Sequence, residues 1–124
     1  MAGVGIDLLE ISRLQRALRR RPRLAGRLFC EGERAYAAGR ARPAQHLAAR
    51  FCAKEAVTKA LGLDVLVPRE IEIVGGGEDV EIALHGSAAD RAQQLGVRVQ
   101  VSLTHSRSIA GAVAVLAEEG DADS

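Results

Sequence analysis

Aromatic side chains are scarce in this chain, which has no Trp, one Tyr and two Phe among 124 residues. Proteins that bind single-stranded nucleic acid commonly stack the bases on aromatic rings, so the composition argues against that class of function. A small basic nucleic-acid binder remains a weak alternative, and a steep salt dependence of DNA or RNA affinity would reveal it. The core must be built from Leu, Val, Ile and Ala.

Cysteines and long apolar runs are also few. Cys30 and Cys52 give neither a disulfide framework nor zinc-ligand spacing, which fits a reducing compartment. No apolar run approaches the roughly 18 residues that a membrane-spanning helix needs, and no charged-then-apolar leader is visible. With 48% apolar and 27% charged residues, we expect a globular, cytoplasmic protein.

The order of periodic segments predicts an α+β fold, with an antiparallel sheet packed around a long central helix. We expect one domain over residues 1–117 and a short, acidic, frayed tail over 118–124. Ser12 is the expected N-cap of the first helix. The predicted strands are 4–9, 70–74, 80–84, 97–104 and 109–116, and the predicted helices are 10–20, 23–29, 31–38, 43–62 and 88–95.

The central helix, opened by Pro43 and stopped at Gly62, carries small residues at helical spacing. A stripe of small side chains lets a sheet or another helix approach closely, so we expect this face to be buried. Gly5, in the first strand, would likewise permit close approach of another backbone or a ligand. The stripe consists of Ala49, Cys52, Ala53, Ala56 and Ala60.

Two carboxylates stand out as candidate metal ligands. Asp7 interrupts an apolar strand, and Glu55 lies one turn before Lys59 on the central helix. The simpler interpretations are a strand-end Asp bonded to nearby backbone and an ordinary helical Glu–Lys pair. The functional interpretation is that Asp7 and Glu55 converge on Mg²⁺, which takes one or two carboxylates and fills its other positions with water and substrate phosphates.

Two further features admit both a simple and a functional interpretation. His105 follows a strand and opens a turn, where a lone histidine is usually a turn or cap residue. Arg13, Arg16 and Arg20 share one face of the first helix, which is either a solvated face or a docking surface for an acidic partner. The Gly75–Gly77 run lacks a following helix and a Gly-Lys-Ser/Thr ending, so it predicts a hairpin turn, not a phosphate loop.

Taken together and in order, three segments resemble the holo-(acyl-carrier-protein) synthase family, the small trimeric class of 4′-phosphopantetheinyl transferases. Residues 3–13 resemble its Gly-x-Asp-x-x-Glu-x-x-Arg motif, and residues 50–62 resemble its Phe-x-x-Lys-Glu-Ala-x-x-Lys-Ala motif. Residues 101–106 resemble its Ser-x-x-His element. The resemblance extends over residues 3–117, and residues 63–68 depart from it by lacking the usual glycine.

The resemblance implies transfer of 4′-phosphopantetheine from coenzyme A to a serine of an apo acyl carrier protein, in fatty-acid or polyketide biosynthesis. Asp7 and Glu55 would ligate Mg²⁺, and Lys59 would neutralise or protonate the departing 3′,5′-ADP. The base would be Glu55 or a metal-bound water. The implied contacts to the coenzyme A phosphates are Arg50, Lys54, Lys59 and His105.

The resemblance also implies a homotrimer with active sites between subunits, so that His105 serves a neighbouring pocket. The arginine face of Arg13, Arg16 and Arg20 would meet the acidic helix of the carrier protein. A non-catalytic relative that keeps the fold as a carrier-binding module remains the alternative. Absence of magnesium-dependent coenzyme A binding would favour that alternative.

Overall fold

A computed structural model describes residues 3–77 and 79–119 of the chain. It contains five helices, one 3₁₀ turn and five strands within the described residues. In chain order they are β1 (Val4–Glu10), α1 (Ile11–Arg20), α2 (Leu24–Leu28), α3 (Glu31–Ala38), α4 (Pro43–Leu61), the 3₁₀ turn (Pro68–Glu70), β2 (Ile71–Val74), β3 (Glu81–Leu84), α5 (Gly86–Leu95), β4 (Val97–His105) and β5 (Ile109–Glu118).

The strands form two antiparallel sheets, which confirms the predicted α+β class. The larger sheet has the order β1-β5-β4, and the smaller one is the β2–β3 hairpin. The sequence patterns did not show that the β2–β3 hairpin would form a sheet of its own, separate from the other three strands. Within the larger sheet, Ala112 of β5 lies opposite Asp7 on one side and Leu103 on the other.

Helix α4 packs across one face of the larger sheet. Its predicted small-residue stripe is fully or almost fully buried, as expected. Gly5 of β1 explains the close fit, since a side chain there would overlap the backbone carbonyl of Ala56 on α4. The short distance between β1 and α4 brings the side chains that flank their contact into one cluster.

Three local expectations need correction. Glu10 caps α1, not Ser12, because β1 runs directly into the helix and leaves Ser12 in its first turn. His105 is the last residue of β4, so it belongs to the strand and does not open the turn. Strand β5 continues through Glu118, and the N–H of Glu119 donates to the Gly96 carbonyl. The first two residues of the predicted tail, 118 and 119, are therefore part of the ordered structure. The rest of that tail, 120–124, lies outside the described residues.

The opposite face of the larger sheet carries exposed apolar side chains. Val4, Ile6 and Leu8 alternate along β1 and are 51%, 64% and 70% exposed. Ile109 and Val115 of the neighbouring strand are also exposed. We call this the open sheet face. Among the described residues, no helix has the length and apolar character needed to cross a membrane.

Candidate active site

An acidic cluster forms where β1 crosses α4. Asp7 projects from the strand and Glu55 from the helix, and both side chains are partly buried. Burial raises the pKa of the Glu55 carboxyl, the negative charge of Asp7 raises it further, and Lys59 opposes both effects. The two carboxylates are therefore close enough to repel one another, and bringing them together costs free energy in the absence of a cation.

Lys59 lies beside this pair but does not form the simple helical ion pair with Glu55. Its ammonium donates to the Ile6 carbonyl at 2.9 Å and lies 3.4 Å from an Asp7 carboxylate oxygen. Among the described residues, no ion pair within 4 Å joins Lys59 to Glu55. About half of the Lys59 side chain is exposed, which leaves the cation accessible to an incoming anion.

The donor set of the acidic cluster fits Mg²⁺. Two carboxylates supply hard oxygen ligands, and a magnesium site takes its remaining ligands from water and substrate phosphates. No group of three or more His, Cys, Asp or Glu residues suited to holding a metal is present among the described residues. Cys52 lies beneath the pair, and burial followed by the charge of Asp7 raises the pKa of its thiol to about 12. It therefore stays neutral and does not act as a thiolate ligand.

A second polar site lies on the other flank of α4, and we call it the histidine cavity. It has a volume of about 180 Å³ and lies between α3, α4, the hairpin turn and the end of β4. His46 contacts His105 edge to face, with ring centroids 5.6 Å apart, and contacts Tyr36 at the same distance. A side chain on Gly76 would overlap the Tyr36 ring, so glycine allows the hairpin turn to close over this cavity.

Arg50 forms part of the wall of the histidine cavity and is 2% exposed. Its guanidinium donates to the carbonyls of Ile73 and Gly75 and lies 4.2 Å from the centre of the Tyr36 ring. The buried Nε has no hydrogen-bond partner among the described residues. A buried guanidinium with an unused donor is a site for which an anion is a suitable ligand.

Lys54 does not belong to either site. Its ammonium is completely buried and donates to Glu33 at 2.8 Å, to the Pro68 carbonyl at 2.8 Å and to the Ile71 carbonyl at 2.6 Å. An ammonium has three N–H donors, so none is left for a phosphate. In this geometry Lys54 has no donor free for the predicted contact with coenzyme A, and the residue ties α4 to α3 and to the start of β2.

The predicted site residues thus divide into two groups on one chain. Asp7, Glu55 and Lys59 lie at one flank of α4, while Arg50 and His105 lie at the other. In the larger sheet, Asp7 and His105 are on strands separated by β5 and are offset by two residues. Standard strand dimensions place their Cα atoms about 12 Å apart.

The predicted docking arginines lie on the outer side of α1. Arg13, Arg16 and Arg20 are all exposed, whereas Ile11 and Leu14 turn inward to the core. Among the described residues, none of the three arginines forms an ion pair. Their charge is therefore available to an acidic partner.

Sequence reasoning missed three residues around these sites. His46 lies one turn before Arg50 on α4, and this spacing could have placed it beside the histidine cavity. Tyr36 gave no signal, because its position depends on how α3 packs against α4. Glu33, near the start of α3, accepts from the Cys30 N–H at 2.7 Å, from Lys54 at 2.8 Å and from the Ile73 N–H at 2.9 Å.

Comparison with known proteins identifies the family of the chain. Residues 3–114 match the family model described as the 4′-phosphopantetheinyl transferase superfamily. The chain is 44% identical over 133 residues to a holo-[acyl-carrier-protein] synthase of Moorella thermoacetica, with 97% of this chain and 100% of the relative covered.

Solved structures show the same likeness in three dimensions. The acyl carrier protein synthase of Mycobacterium tuberculosis aligns with a TM-score of 0.74 and 33% identity, covering 94% of this chain and 97% of that one. A structure described as a Chronobacterium ammoniagenes ACPS-CoA complex aligns with a TM-score of 0.81 and 28% identity, covering 94% and 97%. The chain belongs to the 4′-phosphopantetheinyl transferase superfamily.

Proposed function

We propose that this protein transfers the 4′-phosphopantetheine group of coenzyme A to a serine of an apo acyl carrier protein and releases 3′,5′-ADP. The observation that carries the proposal is the cluster of Asp7, Glu55 and Lys59 where β1 meets α4. Two repelling carboxylates beside an accessible ammonium are costly for a purely structural site. They suit a site that receives a metal ion together with phosphates.

Asp7 and Glu55 would hold Mg²⁺, which when bound supplies positive charge that stabilises the pyrophosphate as it is cleaved. The serine oxygen attacks the β-phosphorus of coenzyme A, and the bond from that phosphorus to the 3′,5′-ADP oxygen breaks. The serine proton passes to a base, for which Glu55 is proposed because its carboxylate lies in the acidic cluster where the pyrophosphate would bind. Lys59 neutralises or protonates the departing phosphate, and its partial exposure leaves it free to do so.

Arg50 and His105 are proposed to bind phosphate of coenzyme A in the histidine cavity. The unpaired Nε of Arg50 and the position of His105 at the cavity wall support this role. Lys54 is proposed to support the site indirectly, by fixing the segment between α4 and β2. Since phosphoryl transfer depends on positioning and electrostatics, small displacements of these elements would slow it.

The arginine face of α1 is proposed to bind the acidic carrier protein. Arg13, Arg16 and Arg20 offer an exposed, unneutralised row of positive charge. Such a row increases the association rate with an acidic partner and sets its orientation. Contacts there bring the carrier to the enzyme without taking part in the reaction.

A homotrimer with active sites shared between subunits is proposed for the assembled protein. The open sheet face exposes a contiguous set of apolar side chains, which another copy of the chain can cover. The two groups of site residues lie on opposite flanks of α4, so a neighbouring copy can supply the histidine cavity to the acidic cluster. We further propose a cytoplasmic location, where Cys30 and Cys52 remain free thiols, and a role in fatty-acid or polyketide biosynthesis.

The reaction is tested by intact-mass analysis of an apo acyl carrier protein incubated with this protein and coenzyme A, with Mg²⁺ or with EDTA. We expect a gain of one phosphopantetheinyl group on the carrier only when Mg²⁺ is present. No gain on several apo carriers, while the protein still binds them, would replace the proposal with the non-catalytic binding module.

A further inference from the structure

His46 is the central side chain of the histidine cavity. It lies between His105 and Tyr36, edge to face with each ring at 5.6 Å between centroids. It is half-buried on α4, one turn before the buried Arg50. None of the contacts described for His46 pairs it with an acidic group.

The charged and titratable groups that face His46 come from three elements. His105 approaches from β4, Arg50 from α4, and Arg40 and Tyr36 from the end of α3 and the loop after it. Burial lowers the pKa of His46, and the charges of His105, Arg40 and Arg50 lower it further. Without a ligand, His46 is therefore neutral at physiological pH.

We propose that His46 takes up a proton when a phosphate monoester enters the histidine cavity, so that anion binding at this cavity is coupled to pH. The inference rests on the proposed binding of coenzyme A, whose pyrophosphate is directed to the acidic cluster and whose remaining phosphate is a monoester at the 3′ position. A phosphate monoester carries nearly two negative charges near neutral pH. That charge offsets the positive charges of Arg40 and Arg50, which disfavour a proton on His46.

The direction of the coupling follows from linkage. The bound dianion raises the pKa of His46 relative to the ligand-free protein, so the complex holds more protons than the free partners. Affinity for the monoester must then fall as pH rises through the range in which His46 of the complex loses its proton. The dependence approaches about tenfold in Kd per pH unit when one full proton is exchanged.

Isothermal titration calorimetry measures the proton uptake directly. Coenzyme A and 3′-dephospho-coenzyme A are titrated into the protein with Mg²⁺ at about pH 7.5, in two buffers of different ionisation enthalpy. Both ligands carry the pyrophosphate, so protonation changes at the acidic cluster cancel in the comparison. The proposal predicts uptake of about one proton more for coenzyme A than for the dephospho ligand.

Variants at two histidines, His46 and His85, assign the proton. His46→Phe keeps a ring in contact with Tyr36, and His46→Gln provides a second variant should the first fold poorly. Both should abolish the extra uptake and remove the pH dependence of Kd that coenzyme A shows beyond that of the dephospho ligand. His85→Gln is the matched control, because His85 pairs with Glu72 at 3.0 Å away from the cavity, and it should retain the wild-type uptake.

Two results overturn the inference, and they separate it from the proposed function. If coenzyme A binds but the His46 variants show the wild-type proton uptake, the proton goes to another group and only the role of His46 is refuted. If the wild-type protein does not bind coenzyme A at all, the proposed function fails and the inference fails with it.

Discussion

Replacing the buried Lys54 should destabilise the fold far more than the same change at Lys59. Lys54→Met leaves the buried Glu33 carboxylate without its cation, with only the N–H groups of Cys30 and Ile73 donating to it, and removes the donor from the Pro68 and Ile71 carbonyls. Breaking a buried ion pair on one side costs about 3–5 kcal/mol, a large share of the 5–15 kcal/mol typical of a small domain. Lys59 is half exposed and 3.4 Å from Asp7, so Lys59→Met should cost less than about 1 kcal/mol.

Denaturant unfolding at a fixed protein concentration measures both values, since an oligomer's stability depends on concentration. A third variant, Lys54→Met with Glu33→Gln, should lose less than the sum of the two single changes, because glutamine leaves no uncompensated charge. The reasoning is refuted if Lys54→Met and Lys59→Met have equal midpoints, or if the Lys54 and Glu33 effects simply add. Lys59→Met should nevertheless reduce transfer activity, which separates the site lysine from the structural one.

Three further changes test the other parts of the account. Glu55→Gln should reduce transfer at least about a hundredfold. The pKa of Glu55 is higher in the folded protein than in the unfolded chain, so the free energy of unfolding falls as pH rises through the interval between these two values. Glu55→Gln should remove that fall. An unchanged pH profile of the unfolding midpoint would contradict this. Ile6→Glu should convert the proposed trimer to monomers, as measured by light scattering. Val65→Glu, at an equally exposed position away from the open sheet face, should leave the trimer intact. A trimer that survives Ile6→Glu would rule out that face as the interface. Arg13→Glu with Arg16→Glu should weaken carrier binding at least about tenfold and leave coenzyme A affinity unchanged, and Arg69→Glu with Arg98→Glu, at two exposed positions outside α1, is the charge-matched control. Equal losses of carrier affinity in the two double variants would indicate net charge alone.

The secondary structure and the α+β class could be read from the sequence because local signals agree with the fold. The alanine stripe of α4 and the alternation of β2 and β3 each have one strong periodic interpretation. The separation of the strands into two sheets could not be read, since it depends on which edges meet in space. Ser12 was a reasonable N-cap by residue type, but the direct continuation of β1 into α1 placed the N-cap two residues earlier, at Glu10.

The same limit applies to the candidate site. Asp7, Glu55 and Lys59 converge because Gly5 allows β1 and α4 to touch, and the sequence marks all of these positions. The burial of Lys54 could not be predicted from its position beside Glu55, because adjacent positions on a helix point about 100° apart and neighbouring charges can face different environments. Its true partner, Glu33, is 21 residues away in the chain, and no local pattern connects the two.

Parallel measurements of the transfer rate show most directly whether the acidic cluster performs a magnesium-dependent transfer. Intact-mass time courses on an apo acyl carrier protein would compare the wild type with Asp7→Asn across a magnesium titration, with folding of both verified by circular dichroism. For the wild type we expect a magnesium-dependent mass gain of one phosphopantetheinyl group on the carrier. For Asp7→Asn we expect this gain to be at least about a hundredfold slower. Equal rates for a folded Asp7→Asn and the wild type would contradict the assignment of this cluster as the catalytic site.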